Sequence, residues 1–159
     1  MQIRIATIDD IPVLTGLWQE RMIIIAQLDS RFVGAQRQRE KWISGAVWSF
    51  DDDAQAIYLA QDDTGVIGYI IGILRNDNDG LLCGTITDIA LDAHKYHGGL
   101  GRNLVAALRG WFAQGSAERI LIKTPRQYAV EQAFWRALGA KECVDAQWET
   151  PPEYIWMTL

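Results

Sequence analysis

Residues 86–115 read ITDIALDAHKYHGGLGRNLVAALRGWFAQG, and the fold of the whole chain depends on how this stretch is divided. ITDIAL, Ile86 to Leu91, has strand character, and DAHKY is a short polar link. The cluster His97-Gly98-Gly99-Leu100-Gly101-Arg102 precedes NLVAALRGWFAQG. From Arg102 onward, Leu104, Val105, Leu108, Trp111 and Phe112 recur at helical spacing, which predicts an amphipathic helix that Gly115 stops. The glycines therefore lie where a strand becomes a helix. Gly98, Gly99 and Gly101 have no Cβ, so the backbone there can turn sharply, approach a ligand closely and aim N–H groups outward from the positive end of a helix. Such a turn is an anion cradle suited to phosphate; the plain alternative is a tight loop with nothing bound.

Two common phosphate-binding patterns do not fit. The dinucleotide fingerprint G-x-G-x-x-G would need glycine where Leu104 stands and an acid after the next strand, whereas ERILIKT ends without one. The nucleotide P-loop needs Gly-Lys followed by Ser or Thr, and none follows. Tyr96-x-x-Gly99-x-Gly101 instead resembles the acyl-coenzyme A loop Q/R-x-x-G-x-G/A of the GNAT superfamily of N-acyltransferases. The departure is Tyr96, where Gln or Arg is usual; the backbone donors are unaffected.

The 159 residues, 49% hydrophobic and 22% charged, predict a single domain over 1–159 with room for a substantial core. The net charge of −5 argues against general nucleic-acid binding and would mildly attract a cationic amine. Cys83 and Cys143 show neither metal-ligand spacing nor a disulfide framework, so two inert buried thiols in a reducing cytoplasm are expected. MQIRIATIDD has no signal-peptide pattern and no apolar run is long enough to span a bilayer, so neither membrane association nor export is expected.

Read from the start, Gln2 to Ala6 predicts a strand. Thr7 with Asp10 predicts a helix start, Pro12 is tolerated in its first turn, and Ile11, Leu14, Leu17 or Trp18, and Met22 share a face. Ile23 to Phe50 is polar and basic around Arg31, Arg37, Arg39 and Lys41, with Trp42, Ile43, Ala46 and Val47 predicting a second amphipathic helix; its polar face is either solvated or a binding surface. Three strands come next: Ala56 to Gln61, Val66 to Leu74 and Leu81 to Leu91. Gly68 and Gly72 share a face of the second and predict close approach by another element. Asn76-Asp77-Asn78-Asp79-Gly80 lacks the terminal ligands of a calcium loop and reads as a plain turn. Glu118 to Lys123 predicts a short buried strand broken by Pro125, and Tyr128 to Leu138 a helix stopped by Gly139. Lys141 to Trp148 and Tyr154 to Leu159 predict two closing strands around Pro151-Pro152.

The resulting order, β, α, α, three strands, then α, β, α, β, β, predicts an α/β fold with a mixed sheet and helices on both faces. It is similar to the GNAT layout over nearly the whole chain, as is the opening IRIATIDDIPVL, and that likeness implies a mostly antiparallel sheet. It also implies that the strands at Ile86–Leu91 and Ile120–Lys123 splay apart around a pantetheine arm. Carried over from the family, Ile89, Ala90 and Leu91 would meet the thioester and pantetheine. Tyr96, His97, Gly98, Gly99, Leu100, Gly101 and Arg102 would surround the diphosphate, and Tyr128, Phe134 and Trp135 would flank the coenzyme. The region Ile23 to Phe50 would cover an acceptor pocket, and Trp148 could line it. Acetyl-CoA is the expected co-substrate, a small molecule or protein bearing an amine the expected acceptor, and a homodimer through the sheet edge one possible assembly.

Acyl transfer to an amine needs a free lone pair, a polarised thioester carbonyl and a departing thiolate. A lysine-like amine is mostly protonated at pH 7, and exposing its lone pair costs roughly 4.6 kcal/mol. A thiol of pKa about 8.5 leaves fairly well unaided. A base therefore matters more than an acid. Asp88, in the strand before the loop, is the candidate base or water-relay partner; the alternative is a structural acid bonded to nearby backbone. The family's usual acid is a tyrosine in F-Y-x-x-x-G-F, and here Phe134-Trp135-Arg136-Ala137-Leu138-Gly139-Ala140 has Trp135 in that place. An indole N–H donates a hydrogen bond but does not practically give up its proton. Tyr128, seven residues earlier, is not expected to replace it. His94 and His97 lack the partners of a metal site, and no metal is implied. The readings that remain are an acetyl-CoA-dependent N-acetyltransferase, a GNAT-fold module that binds acyl-CoA without turnover, and a nucleotide-binding domain of another fold.

Overall fold

The computed structural model describes residues 1–95, 98–143 and 151–159. The elements run β1 (Gln2–Ile5), α1 (Ile11–Leu28), α2 (Arg39–Ser49), β2 (Gln55–Asp62), β3 (Gly65–Asn76), β4 (Leu82–Leu91), α3 (Leu100–Gln114), β5 (Arg119–Pro125), α4 (Ala129–Ala137), β6 (Lys141–Glu142) and β7 (Tyr154–Thr158). Short 3-10 turns lie at Ile8–Asp10, Ser30–Phe32 and Ala35–Gln38. The seven strands form one sheet in the order β1-β2-β3-β4-β5-β7-β6. Every neighbouring pair is antiparallel except β4 and β5, which α3 connects as a parallel crossover. This is the mixed, mostly antiparallel α/β fold expected. Among the described residues no helix is long and apolar enough to cross a membrane.

Both faces of the sheet are covered. Tyr69 and Ile71 of β3 pack with Leu14, Trp18, Met22 and Ile25 of α1, while Ile70 between them packs with Leu104, Leu108 and Phe112 of α3 and with Trp135 of α4. The alternation of a strand thus serves two cores at once. The close approach predicted at Gly68 and Gly72 is real: a Cβ at Gly72 would meet Leu108 at 2.6 Å and Phe112 at 2.8 Å.

Several boundaries differ from expectation. α1 runs on to Leu28, because Ile25 continues the buried stripe one turn past Met22. α3 begins at Leu100 rather than Arg102, which puts Gly101 and Arg102 in its first turn. Pro125 closes β5 instead of breaking it. It pairs with Tyr154 at the strand's end, where its missing N–H costs least. The turn at Asn76–Gly80 is more than a solvated loop: Asp77 is buried, accepts from the N–H groups of Asp79 and Leu81 at 2.9 Å each, and pairs with Arg119 at 2.9 Å. Cys83 is buried, but Cys143 is only half-buried. Of the strand predicted for Lys141 to Trp148, Lys141–Glu142 is observed and residues 144–150 lie outside the described part.

Two features of β4 open the sheet at its centre. Ile71 pairs with Asp88 and Gly72 with Ile86, so Thr87 is an extra residue in β4, a β-bulge. The bulge reverses the alternation: Ile86 faces the α3 core, yet Asp88, two residues on, shares the opposite face with Ala90. Pairing with β5 also stops here, its last partners being Ile86 and Ile122. Beyond that point β4 and β5 run unpaired past each other.

Candidate functional site

Arg21 spans this opening. α1 and α4 pack on opposite faces, so their side chains can meet only where the sheet parts. Arg21 Nη1 lies 3.3 Å from Asp88 Oδ1, and Nη2 lies 2.8 Å from Glu131 Oε2 at the start of α4. Each partner is held further. Asp88 Oδ2 accepts from the Tyr69 hydroxyl at 2.8 Å and from Trp42 Nε1 at 3.3 Å; Glu131 Oε1 accepts from Thr124 Oγ1 at 2.9 Å and from Trp135 Nε1 at 3.5 Å. Burial pulls the Arg21 guanidinium toward neutrality, but the charges of Glu131 and Asp88 outweigh it and raise its pKa above the ordinary value. Burial, reinforced by the Asp88 charge, pushes the Tyr69 phenol far up, so Tyr69 acts as a hydrogen-bond donor and not as a base.

Two cavities meet at Arg21. One, of 410 Å³, lies on the α1 and α2 side and is lined by Asp88, Trp18, Trp42, Phe32 and Tyr154 among others. The other, a groove of 480 Å³, runs along β4 past Ile89, Ala90, Leu91 and Leu100 to Tyr128, Glu131 and Phe134. Asp92 N–H bonds to Ile67 O of β3 at 2.9 Å, and successive strand residues aim their backbone groups to alternate sides. The N–H groups of Leu91 and Ile89 therefore point away from β3, toward the opening.

The glycine turn sits at the far end of the groove. Gly99 precedes α3 with φ of +86°, a left-handed conformation that side chains with a Cβ adopt only under strain, and Gly98 before it faces open space. The first helical bond runs from Asn103 N–H to Gly99 O at 3.0 Å, and among the described residues no side chain caps the helix. The N–H groups of Leu100, Gly101 and Arg102 are thus left without intrahelical partners. Gly101 has a different task from turning: it is buried in the first turn, where a Cβ would come within 3.0 Å of the Phe134 ring. Arg102 is exposed. These free donors and the apolar groove beneath them fit an anionic, long-armed group such as coenzyme A.

Of the residues marked in the sequence, Asp88, Ile89, Ala90, Leu91, Leu100, Tyr128 and Phe134 line one cavity or the other. Trp135 requires a correction. Expected beside the coenzyme, it is fully buried in the α3 core with its indole N–H toward Glu131, and lines neither cavity. Tyr128 stands at the start of α4, where burial raises its phenol pKa, with Glu131 reinforcing the rise against Arg21. His94 is exposed on the link before the turn. Tyr96, His97 and Trp148 lie outside the described residues.

The sequence reading missed Arg21, Glu131 and Tyr69. A signal existed for the first two. Arg21 falls three residues after Trp18 and four before Ile25, on the buried stripe of α1, and Glu131 falls four before the buried Trp135. Charged residues in apolar stripes call for partners, although which partners depends on the fold.

A family model described as the Acetyltransferase (GNAT) family matches residues 17–140. A comparison with curated protein sequences finds no match. Among solved structures, PaiA N-acetyltransferase from Thermoplasma acidophilum, in complex with coenzyme A, is similar with a TM-score of 0.77 and 17% identity, over 99% of this chain and 98% of that one. Ribosomal-protein-alanine N-acetyltransferase from Brucella melitensis gives 0.71 and 19% over 100% and 99%. Aminoglycoside 6'-N-acetyltransferase AAC(6')-IG from Acinetobacter haemolyticus, in its apo form, gives 0.73 and 15% over 95% and 98%. Identities this low speak for the fold, while the family match spans most of the sequence: the chain belongs to the GNAT family of acetyltransferases.

Proposed function

We propose that this protein transfers an acetyl group from acetyl-CoA to a primary amine by direct attack in a ternary complex. One observation carries the reading: the sheet opens after Ile86 and Ile122, and a groove bordered by free backbone donors meets a separate cavity at that opening. The N–H groups of residues 100–102 would hold the diphosphate, those of Ile89 and Leu91 the thioester carbonyl and pantetheine amides, and Ala90, Leu100, Tyr128 and Phe134 the apolar arm. Bound there, acetyl-CoA supplies an activated carbonyl and a thiol that departs.

The amine would sit in the 410 Å³ cavity with Asp88 at its inner wall. As the C–N bond forms and the C–S bond breaks, Asp88 takes the amine proton, directly or through water. Arg21 and Glu131 keep the carboxylate in place, with Tyr69 and Trp42 fixing Oδ2. The backbone N–H groups of β4 stabilise the charge that develops on the carbonyl oxygen, a contribution that needs no proton donor. Trp135 gives no acid assistance, and the thiolate leaves without it.

Thiol release from acetyl-CoA across a panel of primary amines tests the proposal. Release should require an amine, and Asp88→Asn should lose most of the rate; full activity in that variant would take Asp88 out of the proton's path. The second reading, a module that holds acyl-CoA without turnover, is favoured by Trp135 in place of the usual tyrosine acid. Thermal stabilisation by acetyl-CoA with no release across the whole panel would select it.

A further inference from the structure

The protein as a whole is acidic, with a net charge of −5, but the acceptor cavity is not. Three cations line it, Arg21, Lys41 and Lys123, and Asp88 is the sole carboxylate among its described lining residues. Arg21 is already matched by Asp88 and Glu131. The two lysines are left over: among the described residues neither makes an ion pair.

Lys123 is the more telling. It comes directly after Ile122, the last residue of β5 paired with β4, so it stands at the opening on the cavity side. Its ammonium lies 4.2 Å from the centroid of the Tyr154 ring, a cation–π contact that orients it without neutralising it. Burial lowers its pKa, the charge of Glu153 acting against this and that of Arg75 with it. A half-buried ammonium of this kind is a site where an incoming anion gains a partner that water only partly screens. Four aromatic side chains, Trp18, Phe32, Trp42 and Tyr154, share the wall with small, aliphatic and amide residues, and Trp18 and Trp42 are stacked at 5.4 Å.

Resting on the transferase reading, we propose that the acceptor is a zwitterionic, amino-acid-like molecule. Its amine is presented to Asp88, its carboxylate to the lysines of the wall, Lys123 above all, and its apolar or aromatic side chain to the tryptophans. A polycation such as an aminoglycoside or a polyamine meets two unmatched lysines and is disfavoured, whatever the sign of the whole-molecule charge.

The test compares matched pairs that differ only in the carboxylate: phenylalanine with phenethylamine, and tryptophan with tryptamine. In steady-state thiol release the acid of each pair should have a kcat/KM at least roughly tenfold higher, as expected for a charge-assisted hydrogen bond. Lys123→Met should erase most of that ratio, and Lys41→Met a smaller part. Binding of N-acetylphenylalanine and N-acetylphenethylamine, measured by calorimetry on the same proteins, reads the same preference without turnover and in variants checked for an unchanged melting temperature. Equal rates and equal binding within each pair, or a preference that Lys123→Met leaves intact, would overturn the inference while leaving amine acetylation standing. Preferential, Lys123-dependent binding of the acidic product by a protein that acetylates nothing would support the anion site and remove the transferase reading instead.

Discussion

The groove and the cavity share Arg21 and little else. The groove has backbone donors along β4 and at the start of α3, and its walls combine β4 and the link after it with Ile24 of α1, Tyr128 at the start of α4, and Glu131 and Phe134 of α4, among others. The cavity is built from side chains of α1, α2, β2, β3, β4, β5 and β7 and of the turns between α1 and α2. Main-chain donors at a helix start suit a ligand whose phosphates never vary, whereas a wall of assorted side chains can be changed one residue at a time without disturbing the fold. On the proposed function, the contrast separates the part of the molecule that would hold a common carrier from the part that would select an acceptor.

If Arg21 joins the two halves, removing it should damage both. Arg21→Met leaves Asp88 and Glu131 facing each other across the open sheet without a shared cation. The expected loss is about 3–5 kcal/mol of unfolding free energy in urea titration, with acetyl-CoA binding and turnover both impaired. An effect confined to one ligand would show that the halves are independent. Asp88→Asn is aimed at the cavity alone: kcat should fall by roughly 10² to 10⁴, with the Kd for acetyl-CoA unchanged. A parallel fall in coenzyme affinity would erase the distinction.

Gly99→Val is aimed at the other half. A branched side chain forced to a φ of +86° costs about 1–2 kcal/mol, and calorimetry should show weaker acetyl-CoA binding at an unchanged acceptor KM. The smallest effect belongs to a control that lines neither cavity. The Asp10 carboxyl is held at about 2, chiefly by its hydrogen bonds from Arg4 and further by Thr7 N–H, against the opposing cost of burial. A folded value below the ordinary one means that this contribution is fully present above about pH 4 and is lost as the pH falls toward 2. After solvent screening it amounts to about 1 kcal/mol. Asp10→Asn should flatten the acid limb of the urea stability profile by that much and leave both ligands unaffected.

The side of the groove formed by β4 and the start of α3 was legible in the sequence because its requirements are local. The strand at Ile86–Leu91, the glycines after it and the apolar spacing of Leu104, Leu108 and Phe112 lie within one contiguous stretch, and each limits the backbone directly. Asp88 could also be picked out, since a carboxylate inside a strand needs a reason. Its surroundings could not. The bulge at Thr87 that turns Asp88 away from the Ile86 face depends on the register with β3, and alternation along β4 alone gives Asp88 the wrong face. Trp135 was misplaced for a related reason. A motif position predicts the neighbours of a side chain only if the helix turns the same face to the groove, and here that face is buried against α3.

What the residues determined by themselves is the order of elements, the glycine turn at Gly98–Arg102 and the apolar stripes of α1 and α3. All of these depend on period, chirality and the absence of a Cβ, which act over a few neighbours. Only the tertiary structure decided that Arg21 of α1 and Glu131 of α4, 110 positions apart, meet through an opening in the sheet. It also decided that Lys41 and Lys123 line one cavity of an acidic protein without an ion pair among the described residues. A charge is balanced in space rather than along the chain, so its partner is known only once the chain has folded.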